Sequence, residues 1–208
     1  MTTSGQAKPR EITERHLLLV EGREEELFFD ALARHLGLKH LQTMGLQGKD
    51  PLTEKIKAAK ATTGFGNVTS LAIIRDADDN AEAAFQSVCT ALKGADLPVP
   101  AATSRAAGAS PTVRVYIVPS HDKPGMLEDL CLEALKDDRA LICVDEYFKC
   151  LQSKGLSHPK SMSKARIRAF LSSRPDPELR LGEAAGKYIP WDSSAFTQIT
   201  QFVKAVVA

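Results

Sequence analysis

Leu17-Leu18-Leu19-Val20-Glu21-Gly22 and Leu71-Ala72-Ile73-Ile74-Arg75-Asp76-Ala77-Asp78 decide how this chain is read. Each is a short apolar run that stops abruptly at carboxylates. Apolar runs of this length suit strands buried on both faces, as in a parallel sheet. In open α/β sheets, ligands gather outside the carboxyl ends of such strands. Acid placed there is costly, because close carboxylates raise one another's pKa and call for a compensating cation. Glu21, Asp76 and Asp78 on one rim therefore predict a metal site. Hard oxygen donors suit Mg²⁺ or Mn²⁺ rather than Zn²⁺.

Outward from these runs, strand patterns alternate with helix patterns. Residues 16–20 read as a strand, and 23–36 as an amphipathic helix with Leu27, Phe28, Ala31, Leu32, His35 and Leu36 on one stripe. Gly37 is placed to end it. A strand at 41–46, the turn Gly48-Lys49-Asp50-Pro51 and a helix at 52–62 come next. A strand at 68–75, a helix at 80–93 and a strand at 113–118 complete the alternation, with 94–110 as a surface loop. This order predicts a parallel, right-handed α/β sheet. Beyond Gly125 the pattern is helical, at 126–135, 139–151, 164–171 and 196–207. The expected architecture is α/β, a parallel sheet of about four strands flanked by helices, with a mostly helical C-terminal extension. A flexible arm over 1–10 precedes an α/β domain over 11–136, and the extension over 137–208 packs on that domain.

Hydrophobic residues at 43% and charged residues at 25% are ordinary for a folded chain and argue against disorder. A net charge of +1 supplies no global basic field, so nucleic acid has to be held by a local patch or a second subunit. No apolar run approaches the ~20 residues that span a bilayer, which reads as a cytoplasmic chain with no membrane partner. Cys89, Cys131, Cys143 and Cys150 form no CxxC pair and read as buried free thiols. His35 reads as a core or boundary residue, Tyr116 as core, and Trp191 as an anchor for the last helix.

Around the acids, alternatives stay open. Glu25 follows Glu21 by four residues, and Gly22 permits a sharp turn that stacks Glu25 near Glu21 in a first helical turn. A solvated acidic helix start explains Glu25 equally well. Asp76 and Asp78 point the same way if the backbone stays extended, or they form a capping turn. Asp79 and Asn80 read as N-caps.

The order apolar-apolar-Val-Glu-Gly, then apolar-Asp-x-Asp on a later strand, resembles the TOPRIM domain of topoisomerases, primases and OLD-family nucleases. A nearer likeness is to small TOPRIM-like proteins allied to OLD nucleases. Val118-Pro119 with Gly125-Met126-Leu127-Glu128-Asp129-Leu130 looks like their next motif. Gly182-Glu183-Ala184-Ala185 and Tyr188-Ile189-Pro190-Trp191-Asp192 look like their tail. The resemblance implies a Rossmann-like TOPRIM sheet and Mg²⁺- or Mn²⁺-dependent phosphodiester hydrolysis. By position it implies Glu21, Asp76 and Asp78 as catalytic metal ligands, with Glu25 and Glu128 completing the metal set, and an acid in the first turn of a helix reads Glu128 equally well. Lys164 matches the basic catalytic residue of OLD-type enzymes, and a solvated helix start is its competing reading. Lys49, after Gly48, is a candidate phosphate contact or a plain turn residue.

The resemblance further implies nucleic acid as partner, DNA before RNA, and a role in defence against phage or foreign DNA. OLD-family TOPRIM domains are commonly fused to an ATPase. This chain has no Gly-x-x-x-x-Gly-Lys-Ser/Thr loop, so a separately encoded ATPase is the implied partner. Two rivals stand beside the nuclease. One is a non-catalytic or partner-dependent metal-binding module. The other is a haloacid-dehalogenase-like phosphatase with Asp76 as nucleophile, which leaves Glu21 unexplained and places its strand in mid-chain.

Overall fold

The computed structural model describes residues 11–208, so the arm read over 1–10 lies outside the described residues. β1 (His16–Val20), β2 (Leu41–Gly45), β3 (Ser70–Asp76) and β4 (Thr112–Val118) form one all-parallel sheet in the order β2-β1-β3-β4. Helices α1 (Arg23–His35), α2 (Leu52–Lys60) and α3 (Ala81–Gly94) fill the crossovers. The helical remainder is α4 (Leu127–Ala134), α5 (Arg139–Ser153), α6 (Met162–Ser172), α7 (Leu181–Ala184) and α8 (Thr197–Val207).

The two-residue period of the strands divides the core. Leu17, Leu19, Leu71, Ile73, Val113, Val115 and Ile117 face α2 and α3. Leu18, Val20, Ala72, Ile74, Tyr116 and Val118 face α1 and all the C-terminal helices. Leu17, Leu18 and Leu19 are each 0% exposed, which is why β1 shows no alternation of apolar with polar residues. Each such leucine contributes about 1.5–3 kcal/mol by burial.

From β1 the chain steps outward to β2, then passes back beyond β1 to β3 and β4. Strand order therefore reverses between β1 and β3, whose following helices cover opposite faces. That reversal opens a crevice outside the carboxyl ends of these two strands. Glu21 and Asp76 stand at its mouth.

Several elements differ from the pattern expectations. β3 starts at Ser70 because Phe65–Asn67 make a 3-10 turn that uses the left-handed Gly64, φ 93°. A Cβ on Gly64 would stand 1.8 Å from the Ile12 carbonyl oxygen, so only glycine fits. The 94–110 loop does more than connect. Ser104 N–H donates to Val115 O at 2.7 Å, and Ala107 exchanges two backbone bonds with Val113, so the loop covers the open edge of β4. Gly37 stands one residue past the α1 cap. Its N–H bonds Arg34 O while Leu38 N–H bonds Ala33 O, which together end the helix.

Helix α8 packs on the sheet through Phe202, whose ring centroid lies 5.0 Å from that of Tyr116. Trp191 meets Phe28 at 5.1 Å and Phe196 at 5.5 Å, clamping the tail to α1. His35 is exposed and stacks on Trp191 at 5.9 Å, so its place on the stripe reflects ring stacking rather than burial in the core. The cysteines are also corrected. All four are free thiols, but only Cys131 is buried, while Cys143 and Cys150 lie on the outer side of α5. Among the described residues no helix is long and apolar enough to cross a membrane.

Candidate metal centre

Strand register positions the acids. Leu19 lies opposite Ile73, which brings Glu21 level with Arg75 on the same sheet face. Arg75 Nε sits 3.2 Å from Glu21 Oε1, and Arg75 Nη1 donates to Ser87 Oγ of α3 at 2.9 Å. Arg75 thus anchors Glu21 to the α3 side. In the sequence Arg75 only precedes the acids, and no local pattern marks its pairing with Glu21. Gly22 continues in extended backbone and α1 starts at Arg23, placing Glu25 in the first turn as anticipated. Gly45 of β2 is needed here, because a Cβ would lie 2.8 Å from the Gly22 carbonyl oxygen.

Asp76 closes β3 on the opposite face and is only 8% exposed. Its Oδ1 accepts the N–H of Leu127, the first residue of α4, at 3.0 Å. Burial first, and then the carboxylates of Glu21, Glu25 and Glu128, push the Asp76 pKa up to about 8 against the opposing Leu127 bond. Glu21 is raised too, by burial and then by Asp78 and Glu25, with Arg75 opposing. Its side chain remains 43% exposed, so solvent screens much of that field. Burial also raises Glu128, against its own backbone bond and Lys164. Asp76 is therefore surrounded by acids from the end of β1, the first turn of α1 and the first turn of α4.

Asp78 departs from the extended-strand expectation. Its φ of 47° is left-handed and its side chain is exposed, so the alternation rule does not carry Asp76 and Asp78 to one side. Its carbonyl accepts Gly125 N–H at 2.7 Å, which fixes the loop, and its carboxylate acts on Glu21. Asn80 caps α3, accepting Ala83 N–H at 2.9 Å, whereas Asp79 is an exposed turn residue.

The Gly125–Leu130 segment is a structural joint. Gly125 has φ 131°, and a Cβ there would meet Asp129 Oδ2 at 2.9 Å. Asp129 Oδ2 accepts Met126 N–H at 2.9 Å, while Oδ1 accepts the Ser163 hydroxyl of α6. Tying α4 to α6 brings Lys164 Nζ to 4.0 Å from Glu128 Oε1. Asp129→Ala should cost about 1–2 kcal/mol from the lost cap and tether. Urea unfolding checks this, and a midpoint unchanged from wild type would contradict it.

Glu25 lines two clefts. One, about 450 Å³, also involves Glu21, Gly22, Gly48, Lys55 and Arg75. Lys49 is exposed on its turn and is not among the lining residues, so Lys55 is the lysine facing this cleft. The other, about 630 Å³, joins Glu24, Glu25 and Glu128 to Lys164, Arg168 and Arg180.

Among the described residues, no three His, Cys, Asp or Glu side chains converge closely enough to hold an ion as they stand. Each acid is drawn elsewhere: Glu21 to Arg75, Asp76 to the α4 amide, and Glu128 toward Lys164. Yet the donor set suits a hard cation. Glu128 Oε2 is buried without a hydrogen-bond partner, and four carboxylates crowd one rim at mutual cost.

The chain belongs to the family described as protein of unknown function DUF3226, whose model matches residues 15–208. No curated protein and no solved structure matches the chain.

Proposed function

We propose that the rim binds Mg²⁺ or Mn²⁺ and hydrolyses phosphodiester bonds in nucleic acid, in the manner of a TOPRIM-like nuclease. The observation that carries this reading is Asp76, a buried carboxyl at a strand-order reversal, raised by acids from three other positions. A buried acid so placed is destabilising in the empty protein, and a cation relieves it. Glu21, Asp76 and Asp78 would hold one ion, with Glu25 and Glu128 completing the set. A divalent ion in such a site supplies a lowered pKa for a bound water and charge neutralisation at the leaving oxygen.

The chain's own residues supply the rest. Arg75 limits the swing of Glu21 toward the α3 side. The α4 amide orients Asp76 through Leu127. Lys164 stands beside Glu128 with its ammonium half open to solvent, where it can meet charge growing on a phosphate. A nucleophilic role for Asp76, as in a phosphatase, is disfavoured by its burial and leaves Glu21 and Glu25 without a task.

The second reading is a metal-binding module that needs a partner, with DNA-defence work beside a separately encoded ATPase as its setting. The net charge of +1 and the unconverged acids favour it, since a nuclease working alone usually carries its own basic track.

Cleavage of supercoiled plasmid and single-stranded DNA with Mg²⁺ or Mn²⁺ tests the proposal. Wild type should cut, and Asp76→Ala/Asp78→Ala should lose at least 100-fold in rate, about 2.7 kcal/mol of barrier. Equal cutting by both proteins would refute the assignment. Silence from both, with metal still bound by wild type alone, would favour the partner-dependent module.

A further inference from the structure

From the cleft beside the rim, we infer that the chain recognises a single nucleic-acid strand, through Arg168 and Arg180 flanking Lys164. This rests on reading the rim as a phosphodiester site. Lys164 and Arg168 are four residues apart on α6 and share one helix face. Arg180, the residue that precedes α7, lines the same cleft. The Arg168 guanidinium has no ion pair or hydrogen bond among the described residues. Arg180 Nε lies 3.9 Å from Glu24 Oε1, a loose and largely exposed pair. Three cations therefore face one opening that Glu24, Glu25 and Glu128 also line, with Lys164 and Arg180 loosely paired to acids and Arg168 left to meet a ligand.

The cleft's size and floor narrow the ligand. At about 630 Å³ it falls within the range of small-molecule sites, roughly 300–1,000 Å³. Ile167, Leu171, Leu179 and Leu181 form an apolar floor between the cations. A nucleotide offers that combination, an anionic phosphate beside an apolar base or sugar face. A duplex keeps its base faces stacked away from such a floor. It also needs a wide basic surface, whereas this cleft sets its three cations among three carboxylates.

The acids in the same cleft set a condition. Glu24, Glu25 and Glu128 repel phosphate, so the strand binds well only when divalent cations neutralise the rim.

Fluorescence anisotropy with a labelled 12-mer of thymidylate, in Ca²⁺ and in EDTA, tests this. Wild type should bind the single strand at least tenfold more tightly than a duplex of equal length, and more tightly in Ca²⁺ than in EDTA. Arg168→Ala/Arg180→Ala should weaken binding at least tenfold and lower the salt slope by about 1.4, the value for two single-strand phosphate contacts. Arg168→Lys/Arg180→Lys should retain most binding, which shows that lost charge rather than misfolding is responsible. Equal affinity for duplex, no binding by wild type, or an alanine variant that binds like wild type would each overturn the inference. Cleavage reports separately on the rim: strand binding that depends on the arginines, without any cutting, would keep the strand site and sink the hydrolytic reading.

Discussion

In the metal-free protein, stability will fall as pH rises from 5 to 7, and Asp76→Asn will remove most of that fall. The carboxyl of Asp76 titrates near 8 in the folded chain instead of its ordinary 3.8. Between these values the folded state holds a proton that the unfolded state has released. Raising the pH therefore favours unfolding, by about 1.4 kcal/mol per pH unit. Glu21 and Glu128 are raised as well and act in the same direction. For a chain of this size, a change of about 3 kcal/mol shifts the melting temperature by roughly 6–12 °C. Asparagine keeps an oxygen for the Leu127 N–H but carries no charge, so the variant should melt above wild type at pH 7 and show a flatter profile. Melting curves in EDTA at pH 5, 6 and 7 check this. Parallel profiles for the two proteins would contradict it.

Gly182→Ala will be among the most damaging single-methyl additions. A Cβ at 182 would stand 2.4 Å from Leu27 Cβ, 2.6 Å from Glu24 O and 2.6 Å from Phe28 N. Two of those atoms are α1 backbone and cannot swing aside. Overpacking of this kind costs about 1–3 kcal/mol. The relief available is separation of α7 from α1, which also displaces the turn bearing Glu24 and Glu25. Melting should drop by roughly 2–12 °C, and Mn²⁺ affinity should fall with it. A melting temperature within 1 °C of wild type would show that α7 does not pack as described.

Those two positions show what was legible beforehand. Glu21 and Asp76 stand out because carboxylates ending short apolar runs break the pattern of a buried strand. The same runs predicted the four-strand parallel sheet, since Leu17–Val20 and Leu71–Ile74 have no polar face to offer solvent. Gly182 could not be read in advance. Its need for no side chain comes from the close approach of α1, distant in sequence, and a four-residue helix has too little periodicity to announce itself. Arg75 escaped notice for a similar reason: its partners, Glu21 and Ser87, come from elements joined only by register and packing. The left-handed Asp78 reversed a local rule, because the strand ends at Asp76 and the Gly125 bond imposes a turn. Lys164 reached the rim through the Asp129–Ser163 tether, which no spacing between α4 and α6 discloses.

The central claim, that this acidic rim is a divalent-cation site, is tested most directly by titrating Mn²⁺ into wild type and Asp76→Asn and following binding by calorimetry. Wild type should bind one or two ions, and the variant should bind at least tenfold more weakly or not at all. Equal affinity and stoichiometry in the two proteins would contradict the account.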